Sequence, residues 1–239
     1  MDRALRDSLA EAEDRHWWFE GRRRILQSVL QVTGARGPVA EIGCGNGANL
    51  AMLSSFGEVS AVEPDATDRA RAEARGIGHV RRGSLPTDIP LSQGGFGLVL
   101  ALDVIEHVEN DEAAVRSLAG LCRPDGLVVI TVPAGPWLWS RHDERNGHFR
   151  RYTRDGLRRL ITHAGLEVVR LTSFNTVLLP VVATARTAGR MLGLDTAGTS
   201  LPPTPINQAF LKLLSLEARL LPRIDLPAGV SLLALAHPA

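Results

Sequence analysis

Short runs of β-branched and other apolar residues alternate along this chain with longer stretches whose apolar positions follow helical spacing. Runs of the first kind predict strands over residues 38–42 (PVAEI), 59–63, 79–82, 97–102 (GLVLAL), 127–132 (LVVITV), 166–171 and 229–236 (GVSLLALA). Stretches of the second kind predict helices over 46–55, 67–75, 111–121 and 153–163, the last with Thr153 as its N-cap. The 97–102 run has no polar alternation, as expected of a parallel strand covered on both faces. Strands alternating with helices predict an α/β fold, a mostly parallel seven-stranded sheet with helices on both faces. Ligands of such sheets bind at the C-terminal strand ends, beside the switch in strand order.

The pattern changes after the sixth strand. Residues 176–194 and 205–221 are apolar and helical, and the segment between them, DTAGTSLPPTP, is a loop. Leu211, Leu214, Ala218 and Leu221 recur at helical spacing and give the second helix an apolar stripe. The expected organisation is one domain over 1–239. It has an N-terminal helical cap (1–35), a core (36–174), a helical insertion (175–227) and a last strand (228–239). No internal repeat is present.

Composition narrows the class. At 44% hydrophobic and 22% charged, the 239 residues suffice for one sizeable globular core. Lys and Arg number 27 against 26 Asp and Glu, so the formal net charge is +1. That balance predicts no general affinity for nucleic acid or acidic membranes, although it hides clusters at 22–24 and 150–154. The two cysteines, Cys44 in a Gly-rich loop and Cys122 at a predicted helix end, are not expected to form a disulfide, which fits a reducing cytoplasm. The first residues, MDRALRDSLAEAEDRHWW, contain no signal-peptide run, and the most apolar stretches, 177–185 and 230–236, are too short to span a bilayer.

Candidate chemistry falls at the strand ends. Glu41-Ile42-Gly43-Cys44-Gly45-Asn46-Gly47 lies between the first strand and first helix, where glycines permit a tight turn and close approach of a ligand. The second strand ends in Glu63, an acidic residue able to accept both hydroxyls of a ribose. Gly43, Gly45 and Ala48 also satisfy the dinucleotide fingerprint, so these two features fit NAD and S-adenosylmethionine alike. Further blocks separate the two: Val62-Glu63-Pro64-Asp65, Leu102-Asp103-Val104-Ile105-Glu106-His107-Val108, and Leu121-Cys122-Arg123-Pro124-Asp125-Gly126 followed by LVVITVPA. Together with the glycine loop, their order and spacing over residues 39–171 resemble the class I S-adenosylmethionine-dependent methyltransferase family.

The resemblance implies a Rossmann-like fold, S-adenosylmethionine as cofactor and a role for each matching residue. Glu41 and the loop of Gly43, Cys44, Gly45, Asn46 and Gly47 would hold the amino-acid part of the cofactor. Glu63, followed by Pro64, would hold the ribose, and Ser84 and Leu85 would flank the adenine. Many members carry an acidic residue where Ser84 stands. Asp103 and Val104 would line the methionine end, with His107 near the entry to the substrate pocket. Asp103, Glu106 and His107 offer two carboxylates and one imidazole, too few ligands to indicate a metal, and none is expected.

Three blocks lie outside that core: His16-Trp17-Trp18-Phe19 with Arg22, Arg23 and Arg24; the segment from Pro136 to Thr153; and the apolar insertion. All four tryptophans fall in the first two, in a chain only 5% aromatic. They either anchor a helix and a long loop or wall an aromatic pocket. Arg150 and Arg151 either make structural salt bridges or bind an acidic group. The His16–Phe19 block and Gly147-His148-x-Arg150-Arg151-Tyr152 resemble a bacterial subgroup of the family.

Methyl transfer needs donor and acceptor aligned, and a hydroxyl acceptor is helped by a base. His142, His148 and His107 are the candidates in that order, with Asp143 orienting a neighbouring histidine. The expected function is methylation of a small molecule, on oxygen, in a biosynthetic pathway. An NAD-dependent oxidoreductase and a cofactor-binding module without chemistry are the alternatives. No Asn/Asp-Pro-Pro-Tyr motif follows the fourth strand, which speaks against methylation of nucleic-acid bases. The insertion is expected to act as a lid over a hydrophobic part of the substrate; a homodimer contact or a peripheral membrane contact are its other uses.

Overall fold

The apolar runs pair as strands. The computed structural model describes residues 13, 15–192 and 201–239. It gives β1 Val39–Ile42, β2 Val59–Val62, β3 His79–Arg81, β4 Phe96–Leu102, β5 Cys122–Pro133, β6 Leu166–Phe174 and β7 Ser231–Pro238. These form one seven-stranded sheet in the order β3-β2-β1-β4-β5-β7-β6. The β1–β2, β1–β4, β2–β3 and β4–β5 pairs are parallel. Every residue of β1 and β4 is buried, which accounts for the apolar run of β4 without alternation, while β1 also buries Glu41. The chain order reverses between β1 and β4, the switch point where open α/β sheets bind ligands.

The helices are α1 Trp17–Thr33, α2 Leu50–Leu53, α3 Ala66–Ala74, α4 Asp111–Leu121, α5 Arg141–Asn146, α6 Arg154–His163, α7 Leu179–Leu192 and α8 Thr204–Leu220. Among the described residues, no helix is long and apolar enough to cross a membrane. Cys44 and Cys122 are both free thiols.

The chain divides into two compact units. The sheet unit comprises Thr33–Val132, Arg154–Leu171 and Leu233–Ala239. In it, α3 starts at Asp65, whose carboxylate accepts from the N–H groups of Thr67 (2.9 Å) and Asp68 (3.1 Å). Asn110 starts α4 in the same way, accepting from Ala113 N at 3.0 Å. Ala114, Val115, Leu118 and Leu121 of α4 recur at helical spacing and are buried. Each buried Val or Leu contributes about 1.5–3 kcal/mol.

The helical unit comprises the described part of Met1–Val32, with Pro133–Thr153 and Thr172–Leu232. Within it, α1 buries Arg22, Ile25, Leu26, Val29 and Leu30 on one face. A histidine starts this helix: Trp18 N donates to His16 Nδ1 at 3.2 Å, and burial lowers the His16 pKa, keeping the ring a neutral acceptor. Asn207 of α8 completes the cap, accepting from Trp17 N (2.9 Å) and donating to Arg15 O (2.9 Å). The two helices approach closely at Gly21, where a Cβ would lie 2.6 Å from the Leu214 side chain.

Several boundaries differ from those the sequence predicts. The first helix is one short turn, Leu50–Leu53, rather than 46–55. Gly43, Gly45 and Gly47 have φ values of +74°, +56° and +79°, so the chain is still turning where the helix was expected. The segment read as a loop around His142 contains α5, held by a capping box between Ser140 and Asp143 and closed by Gly147 at φ +74°. The helix expected from 176 begins at Leu179, because Thr176 N and Val177 N donate instead to the Glu217 carboxylate at 2.8 and 2.9 Å. Residues 193–200, which include much of the predicted loop, lie outside the described residues.

Candidate active site

Strand register assembles the first group of candidate residues, all within the sheet unit. Ile42 of β1 pairs with Val62 of β2 and Ala101 of β4. Gly43, Glu63 and Asp103 therefore follow directly from three adjacent strand ends. Gly43 N and Cys44 N both donate to Val62 O (2.8 and 3.2 Å), turning the loop across β2. A Cβ on Gly43 would lie 2.7 Å from Val104 Cγ2, so the glycine lets this loop pack on the turn after β4.

Glu63 binds the loop itself. It accepts from Gly45 N through Oε2 and from Asp65 N through Oε1, both at 2.9 Å. Burial raises its pKa, and the two backbone hydrogen bonds oppose that rise. Gly45 differs from its neighbours: at φ +56°, a Cβ there would meet nothing within 4 Å. The loop thus has open space directly over Gly45, beside the Glu63 carboxylate that its N–H contacts.

Two residues that sequence reasoning missed fix this loop. Asn49 Nδ2 donates to Glu41 Oε1 at 2.7 Å, with both side chains buried. Arg75, just beyond α3, donates from Nε to Asn46 O (2.7 Å) and from Nη2 to Asn46 Oδ1 (3.4 Å). Neither contact has a local sequence signal. Ser84 exchanges backbone hydrogen bonds with Asp88, placing Leu85 in the turn between them. Asp103 has φ +58°, and its Oδ1 accepts from Thr131 Oγ1 at 3.1 Å. Val104 precedes the 3₁₀ turn Ile105–His107 and accepts from His107 N at 2.9 Å.

The second group centres on Asp143, in the helical unit. This side chain is fully buried. Its Oδ1 accepts from Arg151 Nε at 2.7 Å and lies 3.0 Å from His148 Nδ1. Its Oδ2 accepts from Arg186 Nη1 (3.2 Å) and from Ser140 N (3.0 Å). Burial alone would raise the Asp143 pKa. The His148 hydrogen bond and the charges of Arg151 and Arg186 outweigh it and hold the carboxyl well below the usual range. Arg186 in turn is lowered to about 10, by burial and by the Arg151 charge. Arg151 and Arg186 also donate to the carbonyls of Ala134 and Leu138, each at 2.8 Å.

His142, first of the histidine candidates, stands in a different environment. Burial first, then the charge of Arg186, lowers its pKa to about 4, with Asp143 offsetting only part. Asn146 Nδ2 lies 3.1 Å from His142 Nε2, a donor facing that ring nitrogen. The imidazole is therefore neutral and a weak proton acceptor near pH 7.

Tryptophans and arginines of the helical unit mostly hold it together. Trp18 stacks on Phe174 with ring centroids 5.8 Å apart at 7°, and Trp17 meets Phe210 edge-on at 5.1 Å. Trp139 Nε1 donates to Glu144 Oε1 at 3.4 Å, while Trp137 is 57% exposed. Arg23 donates to Glu13 O, and Arg24 pairs with Glu20 and bonds Ser215. Arg150 lies over the Phe149 ring.

Comparison with known proteins shows the family of the chain. A family profile described as a methyltransferase domain matches residues 13–171. A ubiquinone biosynthesis O-methyltransferase of Rhodopseudomonas palustris is 30% identical over 122 residues, 48% of this chain and 46% of that protein. A Mycobacterium tuberculosis protein named as a probable S-adenosylmethionine-dependent methyltransferase is 27% identical over 128 residues, 53% of this chain and 46% of its own length. The chain thus spans about half the length of these curated relatives. Geranyl diphosphate C-methyltransferase from Streptomyces coelicolor, solved with Mg2+, geranyl diphosphate and S-adenosyl-L-homocysteine, has the same fold, with a TM-score of 0.58 at 15% identity. That likeness covers 88% of this chain and 75% of the other. The chain belongs to the methyltransferase domain family, within the class I S-adenosylmethionine-dependent methyltransferases.

Proposed function

We propose that this chain methylates a hydroxyl group on a small organic molecule, and that the residues at the ends of β1, β2 and β4 hold S-adenosylmethionine. The residues fit that group: an acceptor-only carboxylate at Glu63 suits a diol, and the glycine loop leaves open space over Gly45. Glu41 with Gly43–Gly47 would hold the amino-acid end, Ser84 and Leu85 the adenine side, and Asp103, Val104 and His107 the methionine side. When bound, the cofactor supplies a methyl group already activated by its sulfonium centre. What remains for the chain is alignment and removal of the acceptor proton. Oxygen as the acceptor atom is supported by the relatives named as O-methyltransferases.

The observation that carries the reading is the 3.0 Å contact between His148 Nδ1 and the buried Asp143 carboxylate. Two arginines keep that carboxylate ionised, so it accepts the Nδ1 proton and leaves Nε2 with its lone pair. His142, lowered to about 4 by burial and Arg186, is a poor base, so His148, held by the Asp143 carboxylate, takes the first place in this reading. His148→Ala is expected to lower turnover about 10²–10⁴-fold with cofactor affinity retained. His142→Ala should change turnover far less. The assay is transfer of labelled methyl from S-adenosylmethionine to a panel of hydroxylated acceptors. Full turnover in His148→Ala would remove His148 as the base, and full turnover in the His107, His142 and His148 variants alike would leave alignment as the sole source of catalysis.

A further inference from the structure

The last helix of the helical unit carries an apolar face that the proposed chemistry does not use. Leu214, Glu217 and Ala218 are its buried residues. Ile206, Leu216 and Leu220 are instead 47%, 52% and 50% exposed. Ile224, 46% exposed, extends the same row, because Ile224 N donates to Leu220 O at 3.1 Å and continues the helical path. With half-buried Leu213 these positions advance by seven, three, four and four residues, a single stripe about 27 Å long.

Exposed charge beside this stripe is positive along the helix, with the exposed Asp225 just past its end. Lys212, Arg219 and Arg223 are exposed and follow one edge of the stripe, seven and then four residues apart. Glu217, the sole acidic residue in the sequence from 204 to 224, is buried and accepts from Thr176 N and Val177 N. The formal net charge of +1 averages this local excess away.

A second copy of the chain would fit poorly. A two-fold contact sets the same patch against itself, and with the helices antiparallel it would bring three cations against three cations along one edge of the stripe. Protein partners also tend to be held by buried aromatic and arginine anchors, whereas this stripe is wholly aliphatic. Aliphatic depth beside a cationic edge matches the headgroup and acyl boundary of an anionic bilayer. We propose that the Ile206–Ile224 face docks on an anionic lipid surface, with Lys212, Arg219 and Arg223 meeting lipid phosphates.

The test is co-sedimentation of the full chain with phosphatidylcholine vesicles and with vesicles of phosphatidylcholine mixed with phosphatidylglycerol. Binding is expected for the mixed vesicles, weakening as salt rises. Leu216→Glu combined with Leu220→Glu should reduce it by at least about 100-fold, since two apolar side chains no longer enter the lipid. Lys212→Gln and Arg219→Gln should each reduce it about fivefold. All four positions are exposed, so each variant should keep its thermal transition and its S-adenosylmethionine affinity. That affinity reports on the cofactor site separately from the vesicle result. No binding to the mixed vesicles, or equal binding to pure phosphatidylcholine, would overturn the proposal. So would a dimer that the Leu216→Glu and Leu220→Glu pair converts to monomer, or retention by an acidic protein in place of lipid.

Discussion

Glu63→Ala is expected to weaken S-adenosylmethionine binding by roughly 100- to 20,000-fold. Each of the two charge-assisted hydrogen bonds from a ribose diol contributes about 1.5–3 kcal/mol, and every 1.4 kcal/mol is about tenfold in affinity. The same carboxylate accepts from Gly45 N and Asp65 N, so the variant also loosens the loop against the end of β2. The fold should survive, since β1, β2 and β4 are held by their own ladder and by buried apolar side chains. Calorimetric titration gives the affinity, and a thermal melt gives the control. An unchanged dissociation constant in a folded variant would remove Glu63 from the cofactor site.

Asp143→Asn should produce the largest loss of stability. The carboxylate lies between Arg151 and Arg186, and replacing it by a neutral amide strands two largely buried cations. Removing one partner of such a group costs about 3–5 kcal/mol. For a chain of this size that is a fall of about 10 °C in melting temperature. The pH dependence has a definite sign. Because its folded pKa is depressed, Asp143 contributes stability above the unfolded value of about 4 and loses it as pH falls toward the lower folded value. The gap between parent and variant should therefore be full at neutral pH and shrink in acid. A constant gap across that range, or equal melting temperatures at pH 7, would mean that the ion-pair cluster does not stabilise the helical unit.

What the sequence could reveal follows from how far each interaction reaches. Strands β1, β2 and β4 and the 127–132 part of β5 are legible because buried parallel strands are mostly apolar, interrupted here only by Glu41, Ser60 and Thr131. The loops at their ends are legible because Gly43, Gly45 and Gly47 occupy positive φ and Glu63 closes the next strand. The same glycines explain the overlong first helix: seven residues from Gly43 to Asn49 are spent turning before α2 begins. Helix α5 was hidden for another reason. Its six residues are polar and charged, and the Ser140-x-x-Asp143 capping box and the closing Gly147 are its local signals. Arg186 reaches Asp143 across 43 residues of sequence, and Asn207 reaches Trp17 across 190. Contacts of that range leave no periodic trace. His16 as a helix cap was equally hidden, because histidine is not among the residues that usually mark an N-cap.

The central claim is that the ends of β1, β2 and β4 form an S-adenosylmethionine site, and the glycine loop alone would serve a dinucleotide as well. Titration of the full chain with S-adenosylmethionine and, separately, with NAD decides between them most directly. Saturable binding of one S-adenosylmethionine per chain, abolished or strongly weakened in Glu63→Ala and with no heat from NAD, is the predicted result. Saturable NAD binding with none of S-adenosylmethionine would contradict it.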